Sequence, residues 1–126
     1  MINSKRKGKQ GELEIAKILR ETYGFENVKR GQQYSGINGD ADIIGLPFMH
    51  CEIKRVENLN IEKALQQAKR DCKEGRTPAV FHRKNGEKWK VTLDLDDFMM
   101  LYGEYYSSMI LSGRSDDDAS SSGQEK

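Results

Sequence analysis

At 126 residues the chain is one domain in size, and its 21 Lys and Arg nearly balance 20 Asp and Glu. With 36% hydrophobic residues it can bury one small core, and a formal charge of +1 gives no argument of its own for a polyanionic partner. No run reaches the ~18 to 20 apolar residues of a transmembrane helix and no secretory signal opens the chain, so a soluble, intracellular, cytoplasmic protein without membrane contact is expected.

The charges are unevenly placed. Met1 to Ser35 holds eight basic residues against four acids, Glu12, Glu14, Glu21 and Glu26. From Ser112 onward the sequence "SGRSDDDASSSGQEK" has almost nothing to bury, which predicts a solvated tail. The expected division is a folded domain over 1–110 and a flexible acidic, Ser-rich tail over 111–126.

In chain order, Lys9 to Tyr23 has helical periodicity, with Leu13, Ile15, Ala16, Ile18, Leu19 and Tyr23 mainly on one side and Gly24 as a stop. A short strand near Asn27 to Arg30 precedes a loop rich in Gly, Gln, Ser and Asn over Gly31 to Gly39. Asp42 to Leu46 reads as a strand, Pro47 as a turn, and Met49 to Val56 as the hairpin partner. Asn60 to Lys73 is a second helix with Ile61, Ala64, Leu65, Ala68 and Cys72 on one stripe. "TPAVFHR" and "KWKVTLDL" form a second hairpin about Asn85-Gly86, and Asp94 or Asp96 caps a last helix over Asp97 to Tyr106, with Phe98, Leu101, Tyr102 and Tyr105 inward. The order is α-β-β-β-α-β-β-α, an α/β fold with a central mixed β-sheet flanked by helices. Cys51 falls inside an apolar strand and is expected as a free thiol in the core.

Charges stand where the periodicity calls for apolar groups. On the first helix Glu12 falls amid Ile15, Ala16, Leu19 and Tyr23, while Glu14 points the other way. The plain reading of Glu12 is a first-turn carboxylate favoured by the helix dipole. In the strand "MHCEIKRV", Cys51 and Ile53 share one face and Glu52 and Lys54 the other, for which the plain reading is a solvated face with a weak ion pair. A hairpin would bring Asp42 to that second face. Glu12, Asp42 and Glu52 would repel one another if they met without compensation, which a divalent cation supplies; oxygen ligands of this kind suit Mg²⁺ or Mn²⁺. Such an ion holds a phosphate oxygen and activates water, and Lys54 would orient that water or stabilise charge on the phosphorus-bound oxygens.

These residues resemble the PD-(D/E)XK nuclease superfamily, and within it the archaeal and phage Holliday-junction resolvase-like group. Asp42 followed by Glu52-Ile53-Lys54 matches the aspartate and "ExK" of the signature, "RKGKQGELE" is similar to the basic-glycine opening of those resolvases, and Glu12 matches their helix glutamate. Ala41 stands where the signature has proline, which leaves Asp40 as a rival to Asp42; Asp42 is preferred because it opens the apolar strand. The resemblance implies a restriction-endonuclease-like core, a metal held by Glu12, Asp42, Glu52 and Ile53, and a Gln or Lys on the next helix, here Gln67, otherwise a solvent-facing residue. It also implies a Mg²⁺-dependent endodeoxyribonuclease, acting as a homodimer on branched DNA such as four-way junctions, phage-encoded and at work in a bacterial host. Lys5, Arg6, Lys7 and Lys9 ahead of the helix, with Arg30 and Arg55, are the candidate phosphate contacts, and Gly8 would allow close backbone approach. Gln32, Gln33 and Tyr34 in the glycine-rich loop are candidates to reach a groove. The alternative is a nucleic-acid-binding module of the same fold that has lost turnover.

Overall fold

The computed structural model describes residues 4–31 and 41–116, with side chains from Gly8 onward. Asp40, Gln32, Gln33, Tyr34 and the tail beyond Asp116 lie outside the described residues. The described residues fall into two units, up to Leu93 and from Asp94 onward.

Helix α1 (Ser4–Glu21) starts five residues before the expected Lys9, so Lys5, Arg6, Lys7 and Lys9 ride on its first turns and do not lead into it. Gly8 is no obstacle, since a Cβ there would meet nothing within 4 Å. Gly11 has a structural use. A Cβ on it would lie 3.0 Å from the Cβ of Arg55, so the missing side chain lets α1 settle onto the central strand. Gly24, at φ +82°, ends the segment as expected.

Strands β1 (Lys29–Arg30), β2 (Ile43–Ile44) and β3 (Met49–Arg55) form an antiparallel meander, with Arg30 opposite Ile43 and Ile43 opposite Cys51. β2 is shorter than Asp42 to Leu46 because Gly45, at φ +92°, turns the chain where any side chain would strike the Asn27 carbonyl. Helix α2 (Ile61–Asp71), capped by Asn60, crosses to β4 (Thr77–Arg83), which runs parallel to β3, and β5 (Lys90–Thr92) closes the sheet antiparallel to β4. The sheet order is β1-β2-β3-β4-β5. Each helix buries its stripe on its own face. Ile15, Ala16 and Leu19 of α1 pack with Ile43, Cys51 and Ile53, whereas Ala64, Leu65 and Ala68 of α2 pack with Val80. Glu52 pairs with Val80 across the parallel ladder, so the acid face of β3 is the face α2 covers. Leu13, expected on the apolar stripe of α1, is 48% exposed because the stripe that contacts the sheet runs through Ile15 and Leu19.

The second unit is helix α3 (Leu95–Leu111), longer than Asp97 to Tyr106. Phe98, Leu101, Tyr102 and Tyr105, expected inward, are exposed, and no residue of α3 is buried. A lone helix has no second element within its unit against which to bury them. Phe98 and Tyr102 stack at 6.2 Å and Tyr102 meets Tyr105 at 6.0 Å. Among the described residues no helix is long and apolar enough to cross a membrane.

Candidate active site

β2 begins at Ile43, which pairs with Cys51, and Asp42 stands one residue before it, against the Cys51–Ile53 stretch of β3. Two contacts hold it there. The Asp42 N–H donates to the Cys51 carbonyl at 3.0 Å, and the Ile53 N–H donates to Asp42 Oδ2 at 2.8 Å. Both acids are buried, Asp42 at 8% exposure and Glu52 at 3%. A buried carboxylate is held only by partners. Asp42 has its bond from Ile53, and Glu52 Oε2 lies 3.2 Å from His50 Nε2. The half-buried Lys54 follows on the same face, and no hydrogen bond or ion pair to a described residue engages its ammonium. Alternation along β3 puts Glu52 and Lys54 on one face, opposite to that of Cys51 and Ile53.

From α2, which covers this face, Gln67 is half-buried beside Ala64 and Ala68, whereas Gln66 is exposed. The donor set fits a hard divalent cation, because carboxylate oxygens are the ligating atoms that Asp42 and Glu52 offer. The nearest thiol, Cys51, faces α1, and burial, with the charges of Glu52 and Asp42 beside it, pushes it up to about 12 against the opposing pull of Arg76. It is a free, buried thiol, as expected.

Glu12 is placed differently. It sits on α1, over the other face of the sheet, and its Oε1 accepts from Arg30 Nε at 2.6 Å. Glu12, Asp42 and Glu52 do not bring three ligand atoms within 4.8 Å of one another; among the described residues the acids that do are Asp94, Asp96 and Asp97 at the start of α3. Arg30, a candidate phosphate contact, is thus engaged by Glu12. Arg55 is engaged as well. It lies on the Ile53 face, with Nη2 donating to Asn85 Oδ1 at 3.3 Å and Nε 3.8 Å from Glu14 Oε1.

Glu14 is the residue that helical periodicity misjudges. Set aside as pointing away, it accepts from Arg83 Nε and Nη2 and from Trp89 Nε1, each at 3.1 Å. Partial burial works to raise its pKa, yet the bonds from Arg83 and Trp89 and the charges of Arg83 and Arg55 hold it below the usual carboxylate range. Its partners lie 69 and 75 residues away, so no local pattern signals them. His50 is missed for a different reason: its place two residues before Glu52 marks the same face, a signal that was present.

Past Lys54, at the carboxyl ends of β3 and β4, a groove of about 480 Å³ opens between the start of α2 and His82, Arg83 and Lys84. His82 Nε2 lies 2.8 Å from Thr92 Oγ1, and burial together with Lys90 pushes its pKa down. Compared with known proteins, residues 3–112 match the family model described as "Phage putative PDDEXK endonuclease". No curated protein and no solved structure matches the chain.

Proposed function

The chain belongs to this phage PDDEXK endonuclease family of the PD-(D/E)XK superfamily, and from that premise we propose that it is a divalent-metal-dependent DNA endonuclease, Holliday junction resolvase-like, selective for branched duplexes and active as a homodimer. One observation supports the reading: two acids, Asp42 and Glu52, are buried on adjoining segments, Asp42 accepting from the Ile53 N–H that follows Glu52, and Lys54 lacks a partner among the described residues. Asp42, Glu52 and the Ile53 carbonyl are the proposed holders of Mg²⁺ or Mn²⁺. When bound, the ion polarises the phosphoryl oxygen and activates water. Lys54 stabilises charge growing on the phosphorus-bound oxygens, and Gln67 borders the same face as a positioning group.

Substrate affinity comes from the start of α1. Lys5, Arg6, Lys7 and Lys9 put positive charge at the positive end of the helix dipole, an arrangement that costs stability until an anion arrives. A phosphodiester backbone is such an anion, and its capture makes binding steeply salt-dependent. Arg30 and Arg55, each near a carboxylate, have less charge to give.

Glu52→Ala is expected to lower Mg²⁺-dependent cutting of a labelled four-way junction by a factor on the order of 10³ or more while binding in EDTA persists. Undiminished cutting would remove Glu52 from the site. Linear, nicked and flapped duplexes in the same assay test the selectivity. A second reading, a binding module without turnover, draws on the capture of Glu12 by Arg30; it expects salt-sensitive binding with neither cleavage nor Mn²⁺ heat.

A further inference from the structure

The acid face of β3 carries one more group that the proposed chemistry does not use. His50 is 2% exposed and lies two residues before Glu52, so both side chains leave the strand on the same side. Its Nε2 lies 3.2 Å from Glu52 Oε2, and no other described partner engages either oxygen of that carboxylate. We infer that His50 is the positioning residue of the site: its Nε2–H fixes Oε2 of Glu52 and leaves Oε1 as the oxygen available to a cation. The inference rests on reading Glu52 as a metal ligand.

The physical need is specific. The Asp42 carboxylate lies against the main chain of Ile53, next to Glu52, and repulsion between the two buried carboxylates drives the longer and more flexible glutamate away from the point where both must meet one ion. A bond to one oxygen removes that freedom, as groups behind metal ligands do elsewhere. The tautomer that donates from Nε2 leaves Nδ1 as an acceptor. His50 also lines a cavity of about 150 Å³ shared with Lys73 and Arg76, whose side chains are donors only, surroundings that suit an accepting nitrogen. The opposite tautomer would place two acceptors, Nε2 and Oε2, against each other in the core.

The test uses the full chain with Mn²⁺ alone as the calorimetric probe, followed by cleavage kinetics. His50→Leu removes the donor and is expected to raise the Mn²⁺ Kd by a factor on the order of 10 to 100 and to lower kcat without changing KM for DNA. His50→Gln carries an amide N–H to the position of Nε2 and is expected to restore Mn²⁺ affinity to within a few-fold of wild type. His50→Asn, equally polar but reaching only to the position of Nδ1, is expected to fail. The Gln and Asn pair decides the matter even if the Leu variant does not fold. Equal Mn²⁺ affinity in the Gln and Asn variants, or an unchanged Kd in a folded Leu variant, would overturn the positioning role. A wild-type chain that takes up no Mn²⁺ overturns the metal reading itself, a result distinct from either of these.

Discussion

Glu14 ties α1 to the far edge of the sheet through two N–H groups of Arg83 and the Trp89 indole, with the Arg83 guanidinium 5.7 Å from the Trp89 ring. Glu14→Gln keeps the shape and removes the charge that holds two guanidiniums, so at pH 7 it is expected to cost about 1–3 kcal/mol in urea unfolding. The sign with pH follows from the lowered pKa of Glu14. Its contribution is present above the ordinary carboxylate range and is lost as pH falls through the lowered folded value, so the gap between wild type and variant closes in acid. A gap that stays constant from pH 7 to pH 3 would assign the effect to packing. At this scale the sequence was legible where the causes are local. Period-two alternation alone puts Glu52 and Lys54 on one face of β3, but nothing near position 14 announces an arginine on β4.

The contrast between Gly8 and Gly11 makes α1 testable as an element. Gly8 sits in open space, so Gly8→Ala is expected to stabilise by about 0.5–1 kcal/mol, a rise of a few degrees in Tm. Gly11→Ala drives a methyl to 3.0 Å from the Cβ of Arg55, an atom fixed by the β3 backbone, and is expected to lose about 1–3 kcal/mol through overpacking. Equal Tm shifts for the two variants would contradict the close contact of α1 with β3. Element type and order could be read from periodicity, whereas boundaries could not. The first helix runs on to Ser4 because its early turns are polar and carry no apolar period to mark them. β2 stops at Ile44 because a left-handed glycine turns the chain, a backbone demand that the apolar run "DIIGL" conceals.

Across the whole molecule, α3 is what the apolar pattern left open. Leu95, Phe98, Tyr102, Tyr105 and Met109 recur at alternating spacings of three and four, a seam two heptads long, and the first four are exposed. This seam is the proposed contact between two copies, to which its three half-exposed aromatic side chains bring roughly 300 Å² of the roughly 800 Å² per partner that a stable interface uses. Tyr102→Glu at its centre is expected to raise the dimer Kd about thirtyfold, roughly 2 kcal/mol, in sedimentation equilibrium; a wild-type chain that sediments as a monomer at all concentrations would remove the dimer. Periodicity shows that such a helix exists. It cannot show what the helix meets, because burial depends on the partner and not on the spacing.

The burial of the Glu52 carboxylate works against the fold that contains it. An apolar residue at position 52 would remove that cost, while Cys51 and Ile53 on the reverse side would go on packing against α1. With Glu52 in its proposed role, activity and robustness pull β3 in opposite directions. A population of variants screened only for heat tolerance is then expected to drift toward well-folded chains that do not cut, and only a screen that demands turnover to keep the acid.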